Sequence, residues 1–152
     1  MKKSFEEVKK FLKDYKYWNM VSRAGQTKFS DSDFRLRESN ESLIILRWEK
    51  DFGLDIELSY GFSLLLNDQY NGEQYSKRAF GENTLVEIDK IEFGRILGNC
   101  LSDLNFKYEL KLHHGDAPLR YYKVEYPDPD NFIELIMETE NLFIYTNWAS
   151  AA

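Results

Sequence analysis

Phe132-Ile133-Glu134-Leu135-Ile136-Met137-Glu138-Thr139-Glu140-Asn141-Leu142-Phe143-Ile144-Tyr145-Thr146-Asn147-Trp148 is two apolar, β-rich blocks joined by the polar pair Glu140-Asn141. Short runs of branched and aromatic residues parted by so small a turn predict two strands, Phe132 to Thr139 and Leu142 to Trp148. Successive side chains on a strand point to opposite faces, so Ile133 and Leu135 share one face and Phe132 and Glu134 the other.

Just upstream, Pro127-Asp128-Pro129-Asp130-Asn131 is a strong turn. Its prolines fix φ, and its Asp and Asn side chains bond the local backbone. Before it, Tyr122, Val124 and Tyr126 alternate with Lys123 and Glu125. Beyond the break at Gly115-Asp116-Ala117-Pro118, Phe106, Tyr108, Leu110 and Leu112 alternate with Lys107, Glu109, Lys111 and His113. Alternation of this kind marks strands with one buried and one wet face. The connections are too short for crossovers, so the C-terminal third reads as an antiparallel meander.

Further upstream, a helix is predicted near residues 89–104. Asp89 caps it, Glu92 follows three residues later, and Ile91, Ile96, Leu97, Leu101 and Leu104 line one side. A strand reading of Leu85–Phe93 competes, and a strand at about 85–88 is expected only if the helix begins late. Residues 67–84, polar with Asn71-Gly72 and Gly81, read as the longest loop, or a loop with a helical turn. Leu54, Ile56, Leu58 and Tyr60 alternate with Asp55, Glu57 and Ser59 and read as a strand, preceded by a β-rich block from Leu43 to Trp48; Phe62 to Leu66 either extend this unit past Gly61 or begin a short helix. Phe34 and Leu36 alternate with Arg35 and Arg37; residues 17–33 read as a short strand or loop followed by a turn. A first helix spans about residues 4–16. Ser4 and Glu7 have capping-box spacing, and Phe5, Val8, Phe11, Leu12 and Tyr15 form one apolar stripe.

These readings define an α+β fold: a mainly antiparallel sheet of about six or seven strands with two principal helices packed on it. The candidate core is Phe5, Val8, Leu12, Ile44, Leu46, Ile56, Leu58, Leu97, Leu101, Tyr108, Leu110, Val124, Ile133 and Leu135. A chain of 152 residues fits a single domain, here 1–148, with a frayed tail at 149–152. An apolar content of 43% with 16% aromatics excludes disorder as the main state. The single Cys100 excludes a disulfide scaffold. No apolar run has membrane-helix length and no signal-peptide pattern opens the chain, so a cytoplasmic protein is expected.

The net charge of −6 is unevenly distributed. Residues 1–50 carry 12 Lys/Arg and 8 Asp/Glu, whereas 51–152 carry 8 and 18. That acidic body argues against a nucleic-acid partner, which needs a basic surface to neutralise phosphates. It suits a basic protein partner, because complementary potential speeds encounter and selects the partner. Catalytic sets are not evident. His113 and His114 are strand neighbours and point apart, Cys100 sits near a helix stripe, and neither a Gly-rich phosphate loop nor zinc-ligand spacing occurs. No cofactor or metal is expected.

Two resemblances bear on function. The run from Arg120 to Ile136, with its Pro-Asp-Pro-Asp-Asn turn and Ile133-Glu134-Leu135 strand, resembles the end of a vicinal-oxygen-chelate (glyoxalase-like) module. That resemblance implies Glu134 as a metal ligand, with Ile88 to Glu92 matching the module's first strand and the family's metal-binding His falling at Lys90. In composition and layout, the whole chain resembles the immunity proteins of bacterial toxin systems such as contact-dependent growth inhibition. This second resemblance implies a non-enzymatic protein that binds and occludes a cognate toxin, typically a basic nuclease domain. Partner-binding candidates are then Asp55 and Glu57, Glu109, Glu125, Asp128 and Asp130, with Tyr70 and Tyr75 as aromatic anchors.

Overall fold

The C-terminal hairpin lies at the centre of the sheet. The computed structural model describes residues 3–15, 24–30, 41–50, 54–66, 73–102, 116–127 and 132–150. Six strands are β1 (Gly25–Ser30), β2 (Glu41–Glu49), β3 (Thr84–Ile88), β4 (Pro118–Glu125), β5 (Phe132–Thr139) and β6 (Leu142–Ser150). They form one sheet in the order β1-β2-β6-β5-β4-β3, with every neighbouring pair antiparallel. The fold is therefore α+β, as the alternation pattern requires. The meander runs from β3 to β6, and β2 pairs with β6 along its whole length, from Glu41 opposite Ser150 to Glu49 opposite Leu142. The last strand thus runs two residues past Trp148.

Both faces of the sheet are covered. One face meets α1 (Phe5–Tyr15), α2 (Ile56–Leu66) and α3 (Glu73–Glu82). Here Phe5, Val8 and Leu12 pack with Leu46, Trp48, Phe62, Phe80, Ile136, Phe143 and Tyr145. The other face meets α4 (Lys90–Leu101), whose Phe93 packs with Leu43, Ile45, Leu135, Met137 and Ile144. Strand β2 is accordingly apolar on both sides: Leu43 and Ile45 face α4, Leu46 and Trp48 face the other three helices. Ile133 and Leu135 point to the α4 side and Glu134 to the other, the division the strand pattern predicts.

Residues 54–60 are not a strand: α2 begins at Ile56. Asp55 caps it: its Oδ1 accepts the Leu58 N–H at 2.8 Å, and its carbonyl accepts the Ser59 N–H at 3.0 Å. Leu58 through Leu64 are all buried, because α2 is wedged between the sheet, α1 and α3. A helix without a wet face has no 3.6-residue polarity signal, so the short alternation at its start imitates a strand. Its Ser, Tyr, Gly and Phe residues cost up to about 1 kcal/mol each relative to Ala. Each large side chain among Leu58, Tyr60, Phe62 and Leu64 contributes about 1.5–3 kcal/mol on burial, so packing prevails.

The segment read as a long loop also contains a helix, α3, so two helices join the two expected. Ser4 and Asp89 act as the spacing predicts: Ser4 Oγ accepts the Glu7 N–H at 3.1 Å, and Asp89 Oδ1 the Glu92 N–H at 2.8 Å. Strand β3 and α4 coexist, with Asp89 alone between them. Ile91 is not part of the apolar side of α4; it is 83% exposed, and Phe93 and Cys100 are the buried pair. The strands expected at 34–37 and 106–112 lie outside the described residues.

Candidate functional site: a buried carboxylate among tyrosines

Glu134 stands opposite Asn147 in the β5–β6 register, on the face covered by α1, α2 and α3. It is only 6% exposed. Tyr145, one side-chain step further along the same face of β6, donates its hydroxyl to Glu134 Oε2 at 2.5 Å. Tyr126, one residue beyond β4, donates a short hydrogen bond to Oε1. Asn147 Nδ2 in turn donates to the Tyr145 hydroxyl at 3.1 Å. From the helical layer, Tyr60 of α2 accepts from Asn83 Nδ2 at 3.0 Å.

Burial dominates the electrostatics. It raises the Glu134 carboxyl above the usual carboxylate range, against the two phenol hydrogen bonds that favour its charged form. Burial, followed by the Glu134 charge, pushes the hydroxyls of Tyr126 and Tyr145 upward. Burial likewise raises Tyr60, with Glu134 adding to the effect. Tyr126 and Tyr145 are therefore held as hydrogen-bond donors to Glu134. Beside it lies a cavity of about 90 Å³ bordered by Leu64, Tyr75, Ser76, Phe132, Tyr145 and Asn147. Phe132 and Tyr75 also border an adjoining cleft of about 250 Å³ that reaches Arg78, Glu82 and Tyr126.

The residues expected to bind a partner are dispersed. Asp55 and Glu57 sit at the start of α2, tied to Lys3. The Lys3 ammonium lies 2.6 Å from Asp55 Oδ2 and 4.0 Å from Glu57 Oε2. Tyr75 is on α3 rather than a loop and borders the Glu134 cavity. Glu125 ends β4, exposed, 3.4 Å from Lys123, which also reaches Glu92 on α4 at 3.1 Å. Tyr70, Glu109, Asp128 and Asp130 lie outside the described residues, as do His113 and His114. Lys90 and Glu134 are not brought together: Lys90 opens α4, on the opposite side of the sheet from the Glu134 carboxylate. Among the described residues, no group of three His, Cys, Asp or Glu side chains could hold a metal ion.

A second concavity, not foreseen from the sequence, lies at the other end of β5, about 20 Å along the strand at ~3.3 Å per residue. It is an open cleft of about 520 Å³ lined by Glu49, Lys50, Asp116, Glu140, Asn141 and Leu142. Lys50 is turned to Glu138 Oε2 at 2.7 Å and the Thr139 carbonyl at 3.0 Å, its ammonium 5.5 Å from the Phe143 ring centre. Asp116 is held by Asn141 Nδ2 at 3.1 Å and Thr139 Oγ1 at 3.3 Å. Its carboxylate is thereby pre-positioned on the rim.

No protein-family model, curated protein sequence or solved structure matches the chain. Among the described residues, no helix is long and apolar enough to cross a membrane.

Proposed function

We propose that this chain is a non-enzymatic binding protein that docks a basic protein domain, acting as the immunity protein of a cognate toxin. The observation that supports this reading is the acidic cleft at the β5–β6 turn. Glu49, Asp116 and Glu140 ring it, while Lys50 is engaged by Glu138 and the Thr139 carbonyl. A rigid acidic concavity at the end of a sheet attracts a basic surface and occupies the positions that phosphates would take on a nuclease. Occlusion is then steric and electrostatic, and needs no chemistry from this chain. The excess of acid over base in residues 51–152 agrees with it.

Co-expression with the product of the adjacent upstream reading frame tests the reading. The expected result is a stoichiometric complex whose association rate falls as salt rises. Reversing Glu49, Asp116 and Glu140 together to Lys is expected to slow association at least about tenfold at low salt. A neighbour that forms no complex, or a complex whose association rate ignores salt, overturns it.

A further inference from the structure

Glu134 poses a question that the acidic cleft does not answer. A buried carboxylate is unfavourable unless a cation, hydrogen bonds or protonation compensates it. Here its hydrogen-bond partners are two phenols, and among the described residues no Lys or Arg side chain pairs with it. Each carboxylate oxygen takes one phenol and retains a further acceptor direction. The cavity beside it is bordered by Tyr75, Phe132 and Tyr145, rings that attract cations through their negative faces.

We infer that the cavity beside Glu134 is a binding site for a primary ammonium group on a short alkyl stem. Size limits the ligand. About 90 Å³ is smaller than the roughly 150 Å³ of a cavity that takes up benzene, and suits an ammonium with a few carbons. Geometry limits it further. A guanidinium binds best across both oxygens of a carboxylate in one plane, and here a phenol is bonded to each oxygen. A compact point charge fits the remaining acceptor directions better. Phe132, at 37% exposure, stands between the cavity and the surface cleft and marks the way in.

The groups facing Glu134 set the pH dependence. They are Tyr126 at the end of β4, Tyr145 on β6, Tyr60 on α2 and Tyr75 on α3; Arg78 and Glu82 border the adjoining cleft. Burial raises Tyr60, Tyr126 and Tyr145, so the proton competing with the ammonium is that of Glu134 itself. Binding therefore strengthens as pH rises and Glu134 ionises. The ammonium can arrive on a free alkylamine or on a lysine side chain of another protein, and both present the same chemistry.

Titration of the 13C-labelled chain with n-butylammonium chloride tests the site, read at the Glu134 carboxyl carbon and at the Phe132 ring. Saturable shifts are expected, with affinity rising from about pH 5 to about pH 8 as Glu134 ionises. The neutral isostere n-butanol is expected not to bind. Glu134→Gln is expected to lose at least about tenfold in affinity; if that variant does not fold, the comparisons of pH and of n-butanol on the wild type still decide. A second probe, N-acetyl-lysine methylamide, separates the sources: tighter binding than n-butylammonium indicates a protein lysine, weaker binding a free amine. No saturable shift with either ammonium, equal binding of n-butanol, or binding indifferent to pH overturns the inference. Failure of the toxin complex leaves this outcome unaffected, because the two tests read opposite ends of the sheet.

Discussion

Glu134 concentrates the chemistry of this chain in one side chain, and its effect on stability has a definite sign. Burial raises its pKa in the folded state above that of the unfolded chain. Between the two values the folded state holds a proton that the unfolded state has released, so stability falls as pH climbs through that window and levels off above it. Urea unfolding of the wild type from about pH 4 upward should show this fall, and Glu134→Gln should flatten it. A wild-type profile that rises instead would mean that the phenol hydrogen bonds outweigh burial. The sequence marks Glu134 by its place opposite Ile133 and Leu135 on the strand. Its partners could not be named in advance. Tyr60, Tyr75, Tyr126 and Tyr145 are spread across 86 positions of chain numbering, and only sheet register and helix packing gather them.

At the scale of elements, α1 and α2 meet through a missing side chain. A Cβ on Gly61 would overlap Val8 Cγ1, and Val8 is fully buried. Gly61→Ala is therefore expected to cost about 1–3 kcal/mol, as overpacked cores do. Val8→Ala in the same chain should recover part of that loss, measured by chemical denaturation as a double-mutant cycle. Equal stability of Gly61→Ala and wild type would show that the two helices separate freely. Elements with a clear local signal were legible from their own residues. The stripe of α1, the caps at Ser4 and Asp89, and the β5–β6 hairpin all carry local signals that the fold retains. Helix α2 carries no polarity period, because its neighbours bury Leu58 through Leu64 on every side, and only Phe62 to Leu66 left a helix open as one reading. Its Asp55 cap, which also engages Lys3, shows itself only in the fold.

At the scale of the molecule, the strand order places the longest pairings in the middle. Strands β2, β6 and β5 are flanked on both sides and covered on both faces, whereas β1 and β3 are edges. Native-state amide exchange should therefore be slowest in β5 and β6 and fastest, among strands, in β1 and β3. Protection of β3 equal to that of β6 would contradict this ranking. The antiparallel class of the sheet was legible from alternation and short turns. The placing of β2 against β6 was not, because that pairing joins residues about a hundred positions apart and no local pattern encodes it.

Cys100 gives that architecture a practical use. It is the sole thiol, buried on the α4 side, and burial pushes its pKa up to about 12. Thiolate is the reactive form, so the folded chain holds its cysteine chemically silent. Alkylation then proceeds through openings that lift α4 from the sheet, and its rate reports how often they occur. The chain carries its own single-site clock for conformational opening, readable by mass without a probe being added to the fold.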